Sequence, residues 1–304
     1  MALSPGKLPT VAPHPFLFRQ NQIYLPVTVG PEGQTGEFLL DTGASQTVVS
    51  TSFLGRARLP IAGVRGSQAM AIGGPIGHSV EGITLPSLTA AGETVSDLEV
   101  TQVNAHPLKQ QVGHAPDGVL GVNFLRQFET TLHYPAQAIA LRRLPGDLGS
   151  LDTWSRLGED APHILNANLR DGWLLELEAR VAERASVVAL LDLGSPRSIL
   201  NWNAARALGY TPESPELRPG RNPLWGMDGR TITPVYAPPM EVALGPLAWP
   251  HSVLAIADMP IIRHLHIGYM PVLILGNDLL AQVELVFNYA MARVGLFLGT
   301  GQGD

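Results

Sequence analysis

The 304-residue sequence contains no cysteine. Disulfides, thiolate metal sites and a cysteine nucleophile are therefore excluded, while the compartment stays open. Charge is also scarce. Only 15% of residues are charged, against roughly 25% in an average domain. The net charge is −6 with no block of one sign, so an electrostatic footprint for nucleic acid or an anionic membrane is missing. No apolar run approaches the ~18 residues of a membrane span. Residues 1–15 hold one lysine and no apolar stretch and do not read as a signal peptide. The expectation is a cytoplasmic protein, or an exported one whose signal has been trimmed. What the chain does have is 45% hydrophobic residues, 32 glycines and 26 prolines. That composition favours a good core built from many short strands joined by turns.

Two stretches share one layout. Glu37-Phe38-Leu39-Leu40-Asp41-Thr42-Gly43-Ala44-Ser45 is an apolar run that ends in an acid, a small hydroxyl residue and a glycine. Val187-Val188-Ala189-Leu190-Leu191-Asp192-Leu193-Gly194-Ser195 repeats it 151 positions later. Each reads as a buried strand that delivers a carboxylate to a tight turn, where free backbone N–H groups can hold it. A second landmark keeps nearly the same spacing. Val119-Leu120-Gly121 places its glycine 80 residues after Asp41, and Ile274-Leu275-Gly276 places its own 84 after Asp192. Two matched landmarks in each half describe a two-period repeat, read as two similar lobes facing each other.

The expected organisation is a flexible N-terminal arm over 1–17, a first lobe over 18–145, a glycine-containing linker over 146–162 and a second lobe over 163–300. Strands are expected at 23–29, 38–40 and 47–49, and again at 173–181 and 187–191, with a helix over 198–208. Short helices follow Gly121 and Gly276, the latter capped by Asp278, and a closing hairpin ends each half. The stretches around Ile72-Gly73-Gly74 and Trp225-Gly226-Met227-Asp228-Gly229 read as hairpins. Asp-Gly supplies the turn of the second. Their positions relative to the two acids make them candidate lids.

Two carboxylates brought side by side cannot both ionise cheaply, so one pKa rises and the pair shares a proton. The ionised member can take a proton from water. The protonated member can polarise a carbonyl and later protonate a leaving amine. In these features the chain resembles the pepsin-type aspartic proteases, and more closely their retropepsin-like branch. The carriers are Asp41-Thr42-Gly43-Ala44, Ile72-Gly73-Gly74 and Val119-Leu120-Gly121 in the first half, and Asp192-Leu193-Gly194-Ser195, Trp225 to Gly229 and Ile274-Leu275-Gly276 in the second. The resemblance implies a mainly-β, bilobal acid-protease fold and a monomer whose single chain supplies both halves of the site. It implies an Asp41/Asp192 dyad on turns shaped by Thr42, Gly43, Ala44, Gly194 and Ser195. It further implies flaps at 66–78 and 224–232, an extended polypeptide substrate, and no cofactor or metal. One position departs from the pattern. The family carries Thr or Ser after each acid, whose hydroxyls brace the two turns across the lobe interface, and position 193 is leucine. Ser195, standing where the first half has Ala44, is expected to donate to Asp192 and hold it ionised, leaving the proton on Asp41.

Three other readings stand beside this one. Leu193 suits a catalytically weak or inactive peptide-binding module. A homodimeric protease could use two copies of Asp41, with the second lobe as scaffold. A metal-dependent hydrolase could use His264 and His266, which would share a face on a strand, together with His251. The spacing of these histidines fits no metal motif, and solvated histidines are the preferred reading, as for His114. Trp225 suits a pocket wall or lobe packing equally.

Overall fold

The computed structural model describes residues 12–58, 62–64, 70–71, 74–75, 82–106, 108–109, 114–144, 162–225 and 231–297. Both halves reach their acid by the same route. In the first, Gln22–Val29 and Gln34–Leu40 form an antiparallel hairpin with Tyr24 opposite Leu39. The chain later returns as Gly118–Leu120, parallel to Phe38–Leu40. In the second, Leu174–Val181 and Ala185–Leu191 form the hairpin, and Val272–Leu275 returns parallel to Val188–Leu191. The acid-bearing strand thus lies inside the sheet with both faces covered. This explains why its sequence is a continuous apolar run rather than an alternating one. Pairing of Gln22–Val29 with Gly82–Ala90 closes the first sheet on itself. In the second, Leu174–Val181 pairs with Met240–Leu244, and the strand path stays open among the described residues.

After each acid a short strand runs directly into a helix. Val48–Ser50 leads into Thr51–Ala57, and Ile199–Leu200 leads into Trp202–Ala207. The helix expected over 198–208 is therefore shorter and is preceded by a strand, while the helix at Thr51–Ala57 was not expected. Its start is set by Ser50, whose side chain accepts from the Phe53 N–H, as Asn201 accepts from Ala204 in the second half. A side-chain oxygen at that position satisfies a free amide of the first turn and makes the strand-to-helix switch.

The two closing hairpins join the lobes. Phe128–His133 pairs with Ala138–Arg143 and Glu284–Asn288 with Arg293–Phe297. Phe128–His133 also pairs antiparallel with Glu284–Asn288. His14–Pro15 and His163–Asn166 take the two edges, giving a six-stranded sheet with three strands from each half. The arm expected over 1–17 is consequently tied down at its end, since His14 and Pro15 pair with Ile139 and Ala138. One apolar cluster, including Phe38, Phe124, Phe128, Leu193, Leu275 and Phe287, runs through both halves. Burying one such side chain stabilises by about 1.5–3 kcal/mol, so this shared core holds the lobes in one arrangement. The fold is mainly β, bilobal and fitted with short helices, as the sequence predicts. No described helix is long and apolar enough to cross a membrane. The expected linker over 146–162 lies outside the described residues except Pro162.

Candidate active site

Asp41 and Asp192 stand at the ends of the two buried strands on matching turns. Each backbone N–H donates to the parallel returning strand, Asp41 to Leu120 O at 3.1 Å and Asp192 to Leu275 O at 3.0 Å. Each Oδ1 then accepts from the glycine two residues on, Gly43 at 2.7 Å and Gly194 at 2.9 Å. A second amide follows in both, that of Ala44 for Asp41 and that of Ser195 for Asp192, the latter at 3.2 Å. The two carboxyls meet across the lobe interface and share a hydrogen bond. The Asp41 carboxyl lies so close over the Gly194 Cα that a Cβ there would overlap its carboxyl carbon and both oxygens. Glycine at 194 is required by this close approach.

The backbone donors are balanced, and burial is the largest influence on both acids. Burial raises the pKa of Asp41, against the Asp192 hydrogen bond and the two amides that lower it. Burial raises Asp192 further, helped by the charge of Asp41 and by their hydrogen bond. Asp192 is only 3% exposed, whereas Asp41 is half-buried. Both acids are thus pushed toward protonation and hold one proton between them, and the expectation that Ser195 keeps Asp192 ionised is not met. That expectation fails because the Ser195 hydroxyl donates to Arg197 O at 2.7 Å, and only its backbone N–H serves Asp192.

Thr42 is fully buried and braces the two acid turns from the first-lobe side. Its Oγ1 donates to Leu191 O and accepts from the Leu193 N–H, both at 2.9 Å. Leu193 contributes its backbone to this brace and places its side chain, 0% exposed, in the core shared by the lobes. The exchange is energetically sound. A neutral hydrogen bond contributes about 0.5–1.5 kcal/mol net, and full burial of a leucine contributes about 1.5–3 kcal/mol.

Below the turns lies a layer that sequence reasoning missed. In the first lobe, Asn123 Oδ1 accepts from the N–H and Oγ1 of Thr47, and Thr47 Oγ1 accepts from Gly121 N–H. In the second, Ser198 Oγ donates to Asp278 Oδ1 at 2.6 Å and accepts from Gly276 N–H at 3.0 Å. Asp278 thus ties the turn to the helix Asn277–Leu280 rather than capping it, and the residue at the N-cap position is Gly276. Gly121 and Gly276 are needed because a Cβ would strike the backbone of Gln46 and of Arg197 respectively. Further contacts link the first lobe to the second turn. Gln22 Nε2 donates to Gly194 O at 2.8 Å, and Tyr134 donates to Asn277 Oδ1 at 2.7 Å. The repeat carried a signal for several of these. Thr47 and Ser198 each fall six residues after an acid, Asn123 and Asp278 two after a glycine, and Tyr134 and Tyr289 just past matched strands.

Each candidate lid contains a pair of short antiparallel strands. Met70–Ala71 pairs with Gly74–Pro75, and the latter runs beside the second-lobe helix Pro260–His264. Leu224–Trp225 pairs with Thr231–Ile232, and Trp225 is 39% exposed. Ile72, Gly73, Gly226, Asp228 and Gly229 lie outside the described residues. The histidine reading does not survive. His264 ends a helix and His266 has a left-handed backbone, so the strand geometry that would aim them together is not there. Among the described residues no group of three potential ligands gathers. His114 is half exposed, as expected, and lies against Glu37 at 3.1 Å.

Residues 27–127 match the model of the family described as gag-polyprotein putative aspartyl protease. No curated protein matches the chain. The matched stretch runs from the strand before Asp41, through the Met70–Pro75 hairpin, to Gly121 and the helix after it, and the second half repeats that acid turn, parallel pairing and glycine. Over this third of its length the chain is similar to the gag-polyprotein, retropepsin-like aspartyl proteases.

Proposed function

We propose that the chain is a single-chain aspartic endopeptidase in which Asp41 and Asp192 act as one proton-sharing pair. The observation that carries this reading is the pair itself: two carboxyls on matching turns, hydrogen-bonded to each other and both raised by burial. The ionised member takes a proton from a water positioned between the carboxyls as the water oxygen forms the new bond to the scissile carbonyl carbon. The protonated member meanwhile donates its proton to the carbonyl oxygen, giving a tetrahedral diol. Collapse of the diol breaks the C–N bond, the amine leaves with a proton, and the pair returns to one shared proton. Neither metal nor covalent intermediate is needed. The substrate is a polypeptide lying extended between the lobes, its backbone hydrogen-bonded to the hairpins and its side chains in the flanking pockets. The place of the Met70–Pro75 hairpin beside a helix of the opposite lobe supports its role as a lid across the cleft.

The test is cleavage of a mixed peptide library from pH 3 to 8 by the parent chain, Asp41→Asn and Asp192→Asn. The expected result is a bell-shaped profile for the parent, because one proton must be present and only one. Each substitution should abolish turnover, and activity per chain should stay constant on dilution. Activity surviving in Asp192→Asn, with loss on dilution, would transfer catalysis to paired copies of Asp41. Peptide binding without turnover at any pH would leave a binding module.

A further inference from the structure

We infer that Gln22 and Asn277 are positioning residues for the second half of the dyad, holding the Asp192 turn by its carbonyls where position 193 lacks a hydroxyl. The inference rests on the dyad reading above and goes beyond it, because it concerns how the two turns are kept in register. Gln22 comes from the first lobe, and its Nε2 donates to Gly194 O at 2.8 Å. Asn277 Nδ2 donates to Leu193 O at 2.6 Å, while its Oδ1 accepts from the first-lobe Tyr134 hydroxyl at 2.7 Å. With Thr42 on Leu191 O and Leu193 N–H, every backbone carbonyl from Leu191 to Gly194 except that of Asp192 has a side-chain donor. The Asp192 carbonyl is itself met within the turn by the Ser195 N–H.

The two halves are not equal in this respect. The residue after the matched glycine is Asn277 in the second half and Val122 in the first. Tyr289, the counterpart of Tyr134, is 2% exposed and its hydroxyl has no hydrogen-bond partner among the described residues. The chain Tyr134–Asn277–Leu193 therefore has a polar version on one side of the pseudo-twofold only, the side where the bracing hydroxyl is absent. Gly194 makes the consequence local. Its Cα packs directly on the Asp41 carboxyl, so a shift of the Gly194 peptide moves one acid relative to the other. A displacement of this kind acts on proton sharing and turnover before it acts on substrate affinity.

The experiment compares the parent with Gln22→Leu, which keeps length and removes the donor. It adds Asn277→Asp, which keeps the acceptor for Tyr134 and removes the donor to Leu193. Thermal unfolding first establishes that each variant is folded. Loss of one such bond should lower kcat about three- to tenfold with KM within about twofold, and should move both limbs of the pH–rate profile. The Asp41 and Asp192 carboxyl titrations, followed by carbon-13 NMR of labelled aspartate, should shift with them. Folded variants whose kcat, pH limbs and carboxyl titrations all match the parent would overturn the inference, as would a change confined to KM. If the parent itself cleaves nothing, the hydrolytic reading fails, and the carboxyl titrations still decide whether these residues set the pair.

Discussion

At the scale of single residues, the site turns on two positions that sequence alone weighs wrongly. Leu193 reads as a defect beside Asp192, yet it is fully buried in the core shared by the lobes while Thr42 serves the turn from the other side. Restoring symmetry with Leu193→Thr should therefore lower stability, by about 1–3 kcal/mol, since lost burial and a partial cavity exceed one recovered hydrogen bond. Urea unfolding measures this, and an unchanged or raised midpoint would contradict it. Gly194 has the opposite character. Nothing in the sequence distinguishes it from a turn glycine, but its Cα lies against the Asp41 carboxyl. Gly194→Ala should leave the fold intact by circular dichroism and cut kcat at least about 100-fold, because the added methyl displaces a reacting group. Activity near the parent level would show that the carboxyl has room to move.

At the scale of elements, the repeated unit is an acid-bearing strand, its parallel returning strand and the glycine that ends the latter. Gly121 and Gly276 each sit where another backbone passes within reach of a Cβ, at Gln46 and at Arg197. Backbone cannot swing aside as a side chain can, so Gly121→Ala and Gly276→Ala should each cost at least about 1–3 kcal/mol. Paired measurements by denaturant should return similar losses, given the matched geometry, and a loss in one half alone would break the equivalence. The unit itself was legible in the sequence. Apolar runs ending in Asp-Thr-Gly and Asp-Leu-Gly are local signals, and so are the apolar-apolar-glycine blocks. The six-stranded sheet between the lobes was not legible, because pairing of Thr130 with Phe287 joins strands far apart in sequence and leaves no local mark. The same holds for the Tyr134–Asn277 bond. Directions of small polar side chains were hidden too. Ser195 turns to Arg197 O and Asp278 to Ser198, choices set by backbone placement after the chain has folded.

At the scale of the whole molecule, the dyad couples stability to pH. Asp41 and Asp192 are raised above ordinary carboxylates chiefly by burial, Asp192 the more so. Between the ordinary carboxylate value of about 3.9 and these raised values, the folded chain binds more protons than the unfolded chain. Unfolding free energy must then fall as pH rises through that window, and the contribution is lowest above it. Asp278 and Glu284, also raised by burial, add slopes of the same sign, so the parent profile is a sum. The difference between the parent and Asp192→Asn isolates the dyad. The substitution keeps the shape and removes the buried charge, so it should raise the melting temperature near neutral pH, and the gain should shrink towards pH 3, where the parent carboxyl is protonated. A constant offset across pH would assign the effect to packing. A destabilised variant at neutral pH would mean that the ionised pair stabilises the folded chain, and the proton-sharing argument would fall with it. The pH range in which the parent loses stability should also be the range in which turnover declines, since one event, loss of the shared proton from between two buried acids, governs both.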